Sequence, residues 1–117
     1  MPEKRDESFS TKNRLRKSND FKRVFSKGKR IATPFFVTYS LPNRLPFSRL
    51  GIQVKATLGT ATRRNYMKRI VREAFRRMKG DFCQPLDLVF IAEKPMSNLK
   101  YRQLEEALRK ALVEYFT

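Results

Sequence analysis

The spacing of apolar positions changes repeatedly along the chain, and each change predicts an element. After the N-cap cluster Ser18-Asn19-Asp20, Phe21, Val24 and Phe25 recur at i, i+3 and i+4 until Gly28 supplies a stop. This spacing predicts a short amphipathic helix with two aromatic rings on one side. Phe35 to Leu41 is aromatic and β-branched and ends at Pro42-Asn43, while Arg49 to Lys55 alternates apolar with polar positions. Two adjacent strands are expected here, joined by the loop from Pro42 to Pro46. From Thr60 or Thr62 to Met78 the period is helical and Gly80 ends it. Leu86 to Ala92 is a continuous apolar run, as in a short buried strand. Past Pro95, with Ser97 or Asn98 as cap, Tyr101, Leu104, Ala107, Leu108, Ala111, Leu112 and Tyr115 keep helical spacing to the end.

The order helix, strand, strand, helix, strand, helix argues for an α+β domain of two layers, because each helical stripe needs a sheet face on which to bury. Strand order does not follow from pattern. Residues 1–13 are polar, mixed in charge and without periodicity, so a flexible N-terminal arm with no core role is expected ahead of a single domain over 14–117. Within the first strand, Val37 and Tyr39 share a face with Phe35 and Leu41, whereas Phe36, Thr38 and Ser40 point the other way. Both faces are apolar enough to be covered.

Composition narrows the chemistry. The 117 residues suit one domain with a modest core. Lysine and arginine number 27 against 11 acids, for a net charge of +16, and ten Phe and four Tyr stand among them. The expected partner is a polyanion. The charge is concentrated: 11 basic and 4 acidic side chains lie in residues 1–30, and 8 basic and 1 acidic in residues 60–80, while the last third is nearly neutral. There is no histidine, which excludes Ser-His-Asp and Cys-His nucleophilic sites and Cys/His zinc sites. Cys83 stands alone and cannot form an internal disulfide. The acids Asp20, Glu73, Asp81, Asp87 and Glu93 are scattered, which argues against a metal-dependent nuclease site. No apolar run approaches the roughly 18 residues of a membrane span, and Met1 to Glu7 lack the apolar stretch of a secretory signal. A cytoplasmic protein with no membrane partner is expected.

The central helix is the most informative segment. At about 100° per residue, Arg64, Asn65, Lys68, Arg69, Arg72 and Arg76 fall within an arc of roughly 140°, with Met67, Ile70, Val71, Ala74, Phe75 and Met78 opposite. Burying the second set displays the first. Arg64, Lys68, Arg72 and Arg76 follow one another at i+4, a stack of like charges that costs a few tenths of a kcal/mol per pair in an isolated helix. An anion relieves it. Arginine forks take phosphate oxygens two at a time, and Asn65 can reach sugar or base edges.

The run from Gly59 to Arg76, with its core Arg64-Asn65-x-x-Lys68-Arg69-x-x-Arg72-Glu73, resembles the signature of the bacterial ribonuclease P protein family. Arg14-Leu15, Asp20-Phe21, Phe25 with Gly28, Phe36-Val37-x-Tyr39, Arg49-Leu50-Gly51 and Lys94-Pro95 extend the likeness over about residues 13–112. The resemblance implies a two-layer α/β sandwich of about four strands and three helices, with a left-handed βαβ crossover that runs against the usual preference. It implies an RNA-binding subunit, with no catalytic residues of its own, that assists a catalytic RNA in removing 5′ leaders from precursor tRNA. Contacts to that RNA are implied at Lys55, Arg63, Arg64, Asn65, Lys68, Arg69, Arg72 and Arg76. Phe21, Phe25, Val37 and Tyr39 match the lining of a cleft for the single-stranded leader, on whose aromatics bases stack. A Phe pair at i, i+4 ordinarily packs into a core, so partial exposure of both rings is what distinguishes a cleft. The partners implied are ribonuclease P RNA, one protein to each, and precursor tRNA; magnesium belongs to the RNA subunit, and no cofactor is expected on the protein. Ala56-Thr57 and Glu93 depart from positions where the family often carries basic residues.

Other classes fit less well. A ribosomal or general RNA-binding module shares the charge and the aromatics and predicts no effect on tRNA maturation. A DNA-binding regulator needs a positioning helix before its recognition helix, and here a strand precedes it.

Overall fold

The computed structural model describes residues 9–95 and 99–116. Along the chain it contains α1 (Ser18–Lys27), β1 (Lys29–Ala32), β2 (Phe36–Pro42), β3 (Arg49–Val54), α2 (Ala61–Met78), β4 (Leu86–Ala92) and α3 (Tyr101–Ala111). Single 3-10 turns occupy Thr11–Asn13, Ala56–Leu58, Lys79–Asp81 and Val113–Tyr115.

The sheet order is β1-β2-β4-β3, with β1/β2 and β2/β4 antiparallel and β3/β4 parallel. The expectation that β2 and β3 are neighbours is therefore corrected: β4 lies between them. The reason is burial. Leu86, Asp87, Leu88, Val89 and Phe90 are all buried, so this strand needs cover on both faces and a partner on each edge, which only a central position supplies. The loop after β2 spans the start of β4 instead of closing a hairpin. The Asn43 N–H donates to the Pro85 carbonyl at 3.0 Å, and the Leu86 N–H donates to Ser48 Oγ at 3.0 Å. Parallel β3 and β4 are joined through α2, as parallel neighbours require a crossover.

The two sheet faces are covered unequally. Phe36, Leu50, Leu88 and Phe90 pack with Met67, Ile70, Val71, Ala74, Phe75 and Met78 of α2 and with Leu104 and Leu108 of α3. On the other face α1 and the segment before it cover the sheet, around a small cluster of Leu15, Val24 and Val89 edged by half-buried Phe21, Phe25, Tyr39, Leu41 and Ile91. Gly28 lets α1 end against β2: a Cβ there would sit 2.4 Å from the Val24 carbonyl oxygen and 3.0 Å from that of Ser40.

Several boundaries differ from expectation. β1 is absent from the pattern reading because Lys29-Arg30-Ile31-Ala32 is a mostly exposed edge strand with one apolar position on its inner side. Its turn to β2 is held by Thr33, whose Oγ1 accepts from the Phe36 N–H at 3.0 Å. Helix α1 begins at Ser18 with Lys17 as cap, so the Ser18-Asn19-Asp20 cluster forms its first turn. Helix α3 begins at Tyr101 with Lys100 as cap and gives way to a 3-10 turn at Val113; Ser97 and Asn98 lie outside the described residues.

Residues 9–13, expected to lack a core role, are attached to the domain. The Phe9 ring meets Phe75 edge-on at 6.0 Å, and buried Asn13 donates from Nδ2 to the Ser48 carbonyl at 2.9 Å. One aromatic in a polar stretch has no period to betray it. Residues 1–8 of the expected arm lie outside the described residues.

Candidate nucleic-acid interface

Helix α2 is started by Thr60, whose Oγ1 accepts from the Arg63 N–H at 3.2 Å. Its apolar stripe is buried, and the opposite side faces solvent. Arg64, Lys68 and Arg72 line one edge of that side half-buried, while Arg63, Asn65 and Arg69 are exposed. The Arg64 Nε is buried and finds no partner among the described residues. Arg72 is partly desolvated, and burial, followed by the nearby charge of Arg14, holds its pKa below the ordinary arginine value. An anion placed here meets the Arg64 Nε–H, which has no acceptor among the described residues, and relieves the like-charge contact between Arg72 and Arg14.

Two predicted contacts stand apart from this group. Arg76 is held by Glu73 through bonds of 2.7 and 3.1 Å, and Glu73 also accepts from Arg77 at 3.0 Å. Lys55, exposed after β3, lies 3.9 Å from Glu93, one of the departures noted above. Its charge is partly countered from the neighbouring strand.

On the α1 face, Phe21, Phe25 and Tyr39 come together as expected and all three are half-buried. Phe25 meets Tyr39 edge-on at 4.9 Å, and Phe21 lies 6.3 Å from Phe25. The partial exposure of both Phe rings separates this arrangement from ordinary core packing. Val37 shares the strand face with Tyr39 but is only 5% exposed, so it supports the cleft floor more than it lines it. Register adds two residues the sequence reading missed. Arg30 on β1 is opposite Tyr39, and Ile91 on β4 is opposite Val37, so both share that face.

A recess of about 240 Å³ lies between the α2 basic edge and Phe21, the one ring of the aromatic set that borders it. Lys68 and Arg72 close it from α2, Phe21 from α1, and Arg14, Arg16 and Phe9 from the N-terminal segment. Gly51 lines it as well: a Cβ there would stand 2.6 Å from the tip of the Phe21 ring, so glycine at this position lets the ring approach β3. Arg14, Arg16 and Arg30 had a signal in the basic N-terminal block, but no local period tied them to α2 or the cleft. Tyr66 was likewise unassigned; it is 42% exposed beside Arg69, whose guanidinium lies 5.7 Å from its ring centre.

Below α1 sits a fully buried carboxylate. Asp87 accepts from Arg49 Nε and Nη2 at 2.8 and 2.7 Å, from Arg23 Nη2 at 2.8 Å and from Asn43 Nδ2 at 2.8 Å. Burial pushes its pKa up, but the hydrogen bonds from Arg49 and Asn43 and the charges of Arg49 and Arg23 outweigh it and leave the carboxyl below its ordinary value. This network ties α1 to the sheet and to the loop after β2. Among the described residues no three Cys, Asp or Glu side chains gather as metal ligands.

The fold is of the two-layer α+β class, with a basic helix face set beside a half-exposed aromatic surface. The chain matches the Ribonuclease P family over residues 9–115 and belongs to it. It is 47% identical over 91 residues to the ribonuclease P protein component of Thermotoga maritima, which covers 78% of each chain. It is 36% identical over 99 residues to that of Caldanaerobacter subterraneus, covering 85% of each. Among solved structures, the RNase P protein of Staphylococcus aureus superposes with a TM-score of 0.78 at 33% identity, covering 90% of this chain and 98% of that one. The RNase P protein of Thermotoga maritima gives 0.67 at 41% identity, covering 88% and 94%.

Proposed function

We propose that this chain is the protein subunit that joins ribonuclease P RNA to the 5′ leader of precursor tRNA, leaving cleavage to the RNA. The observation that carries this reading is the recess that sets the α2 basic edge against Phe21, whose ring neighbours Phe25 and through it Tyr39, in a chain of this family. Arg64, Lys68, Arg69 and Arg72 bind ribozyme phosphates, with Asn65 and Arg63 beside them, and Lys55 and Arg76 contribute less because carboxylates engage them. Unpaired leader bases stack on Phe25 and Tyr39. The protein supplies affinity and placement, and its positive charge lowers the magnesium that the RNA needs to fold and to hold substrate. Magnesium is bound by the RNA, one protein serves each RNA, and the assembly works in the cytoplasm.

The deciding measurement is cleavage of a precursor tRNA at low magnesium by a bacterial ribonuclease P RNA, with the protein, without it, and with protein alone. Cleavage at the mature 5′ end that needs RNA and is raised by protein supports the reading. Well-folded protein that fails to stimulate a compatible RNA returns a general RNA-binding module to first place. The protein-only arm also matters because one similar structure is of a Staphylococcus aureus RNase P protein mutant with defective mRNA degradation activity.

A further inference from the structure

The line of rings on the α1 face has a direction. Phe21 reaches over Gly51 of β3, where a Cβ would stand 2.6 Å from the ring tip, and Phe25 meets Tyr39 of β2 at 4.9 Å. Helix α1 therefore crosses the strands, and the rings follow it from the β3 edge of the sheet toward the β1 edge. Register gives the same line through the backbone. Arg30 is opposite Tyr39, Tyr39 is opposite Val89, and Val89 is opposite Gly51, so the four form one row across β1, β2, β4 and β3. Side chains in one row share a face, and three strand spacings separate its ends by about 14 Å. One end is Gly51, which lines the recess with Lys68 and Arg72; the other is Arg30, on the edge strand. The two cations of β1 alternate and so point to opposite faces. Lys29 is taken by Glu114 at 2.8 Å. Arg30 is exposed on the ring face and has no ion pair among the described residues. The next row, Ala32, Val37, Ile91 and Gln53, has no acid either.

We infer that Arg30 is a leader-binding residue, whose guanidinium takes the phosphate on the β1 side of the base stacked on Tyr39. Single-stranded RNA carries a phosphate between successive bases, and its binding sites combine ring stacking with cations along the backbone. Facing residues of a row stand about 4.5–5.5 Å apart at Cβ, so a strand that stacks on Tyr39 and leaves the sheet by its β1 edge passes Arg30. The occupant is the leader and not the ribozyme RNA. The α2 stripe packs on the opposite face of the sheet, and the basic edge of that helix meets the ring face at β3, the far end of the row. A phosphate contact carries no base information, so Arg30 reads the length of the leader and not its sequence. Leaders too short to cross β2 never meet it.

The inference rests on the leader surface proposed above, and Tyr39→Ala separates the two. Holoenzymes assembled from bacterial ribonuclease P RNA and the unaltered protein, Arg30→Gln, Arg30→Lys or Tyr39→Ala are titrated with mature tRNA and with precursor tRNAs whose leaders lengthen one nucleotide at a time. With the unaltered protein, affinity is expected to rise with leader length up to the nucleotide that reaches β1. Arg30→Gln removes the last rise, a several-fold loss on long leaders, and makes their salt slope shallower by about 0.7, the value for one single-strand phosphate contact. It leaves short leaders, mature tRNA and the binding of ribonuclease P RNA unchanged. Arg30→Lys, which keeps the charge, keeps the rise, and changing the leader base at that position has no effect. Arg30 is exposed on an edge strand, and equal thermal unfolding of the variants confirms that the fold is kept. The inference is overturned by unchanged affinity of Arg30→Gln on every leader, by a loss as large on mature tRNA, or by a loss on ribonuclease P RNA. When Tyr39→Ala still lowers leader affinity in those cases, the leader surface stands and only Arg30 falls; when neither variant changes binding of any leader, the proposed surface falls with it.

Discussion

Asp87 has no exposed surface, yet four donor contacts from three residues keep its carboxyl ionised. A buried charge of this kind stabilises only while its partners remain. Asp87→Asn leaves Arg49 and Arg23 without their anion and is expected to cost about 3 kcal/mol in urea unfolding. Because the folded carboxyl titrates below its ordinary value, its contribution is complete above that value, about 3.9, and is lost as pH falls through the lower folded one. Acid titration of stability therefore shows a steeper loss for the unaltered protein than for Asp87→Asn. On α2 the cations are not equivalent. Arg64→Ala and Arg72→Ala are expected to weaken ribozyme binding and to reduce its salt slope by up to about 0.7 to 0.9 each. Arg76→Ala changes both less, since Glu73 already holds that guanidinium. Equal slopes for all three variants and the unaltered protein would remove these side chains as phosphate ligands.

Among the elements, α1 carries the most consequence for its ten residues. Among the described residues it is the one α-helix on its sheet face, joined there by Leu15 from the segment before it, and its rim rings stay half-open. Tyr39→Ala is expected to lower affinity for leader-bearing precursor by about 1–3 kcal/mol, the range for one lost base stack, with little change for mature tRNA. An equal loss on both substrates moves the leader elsewhere. Gly51→Ala tests the same surface from beneath. The added Cβ enters the space of the Phe21 ring tip, which must tilt away, so leader affinity falls while thermal stability changes little. Gly28→Ala behaves oppositely, because the atoms it meets are backbone carbonyls that cannot yield; it lowers stability.

At the scale of the molecule, a neutral C-terminal third supplies β4 and α3 to the core, and the basic two thirds wrap around it. Helix α2 is docked by its apolar stripe against β3 and α3, so its cations are displayed on a rigid support and not on a mobile tail. With a net charge of +16, ribozyme affinity as a whole is expected to fall steeply between low and physiological salt, by orders of magnitude where six or more phosphates are neutralised. A nearly flat salt dependence would mean that the charge acts as a solubility device and not as a binding surface.

Features set by neighbours in the chain were legible in the sequence. The extents of β4 and α2 follow from an unbroken apolar run and a regular stripe, and Thr60 marks the start of the helix, whereas its end passes through Lys79 into the 3-10 turn Lys79–Asp81, which contains the expected stop Gly80. The α2 basic face was legible for the same reason, since one period fixes both what is buried and what is shown. The wider resemblance, through Asp20-Phe21, Phe25 with Gly28 and Phe36-Val37-x-Tyr39, implied a cleft lined by Phe21, Phe25, Val37 and Tyr39, and the approach of the three rings to one another depends on β2 and α1 meeting in space.

What the tertiary structure alone decided involves partners distant in sequence. The insertion of β4 between β2 and β3 depends on competition for a doubly covered position, which no local pattern records. Phe9 against Phe75, Arg14 and Arg16 beside Lys68 and Arg72, and Asp87 between Arg23 and Arg49 are each brought together by folding across many residues. The sequence by itself determined that this chain has a basic helix docked by an apolar stripe and carries its family's signature. Only the packed fold decided which cations remain free and which are neutralised, because charge pairing and exposure are properties of neighbours in space.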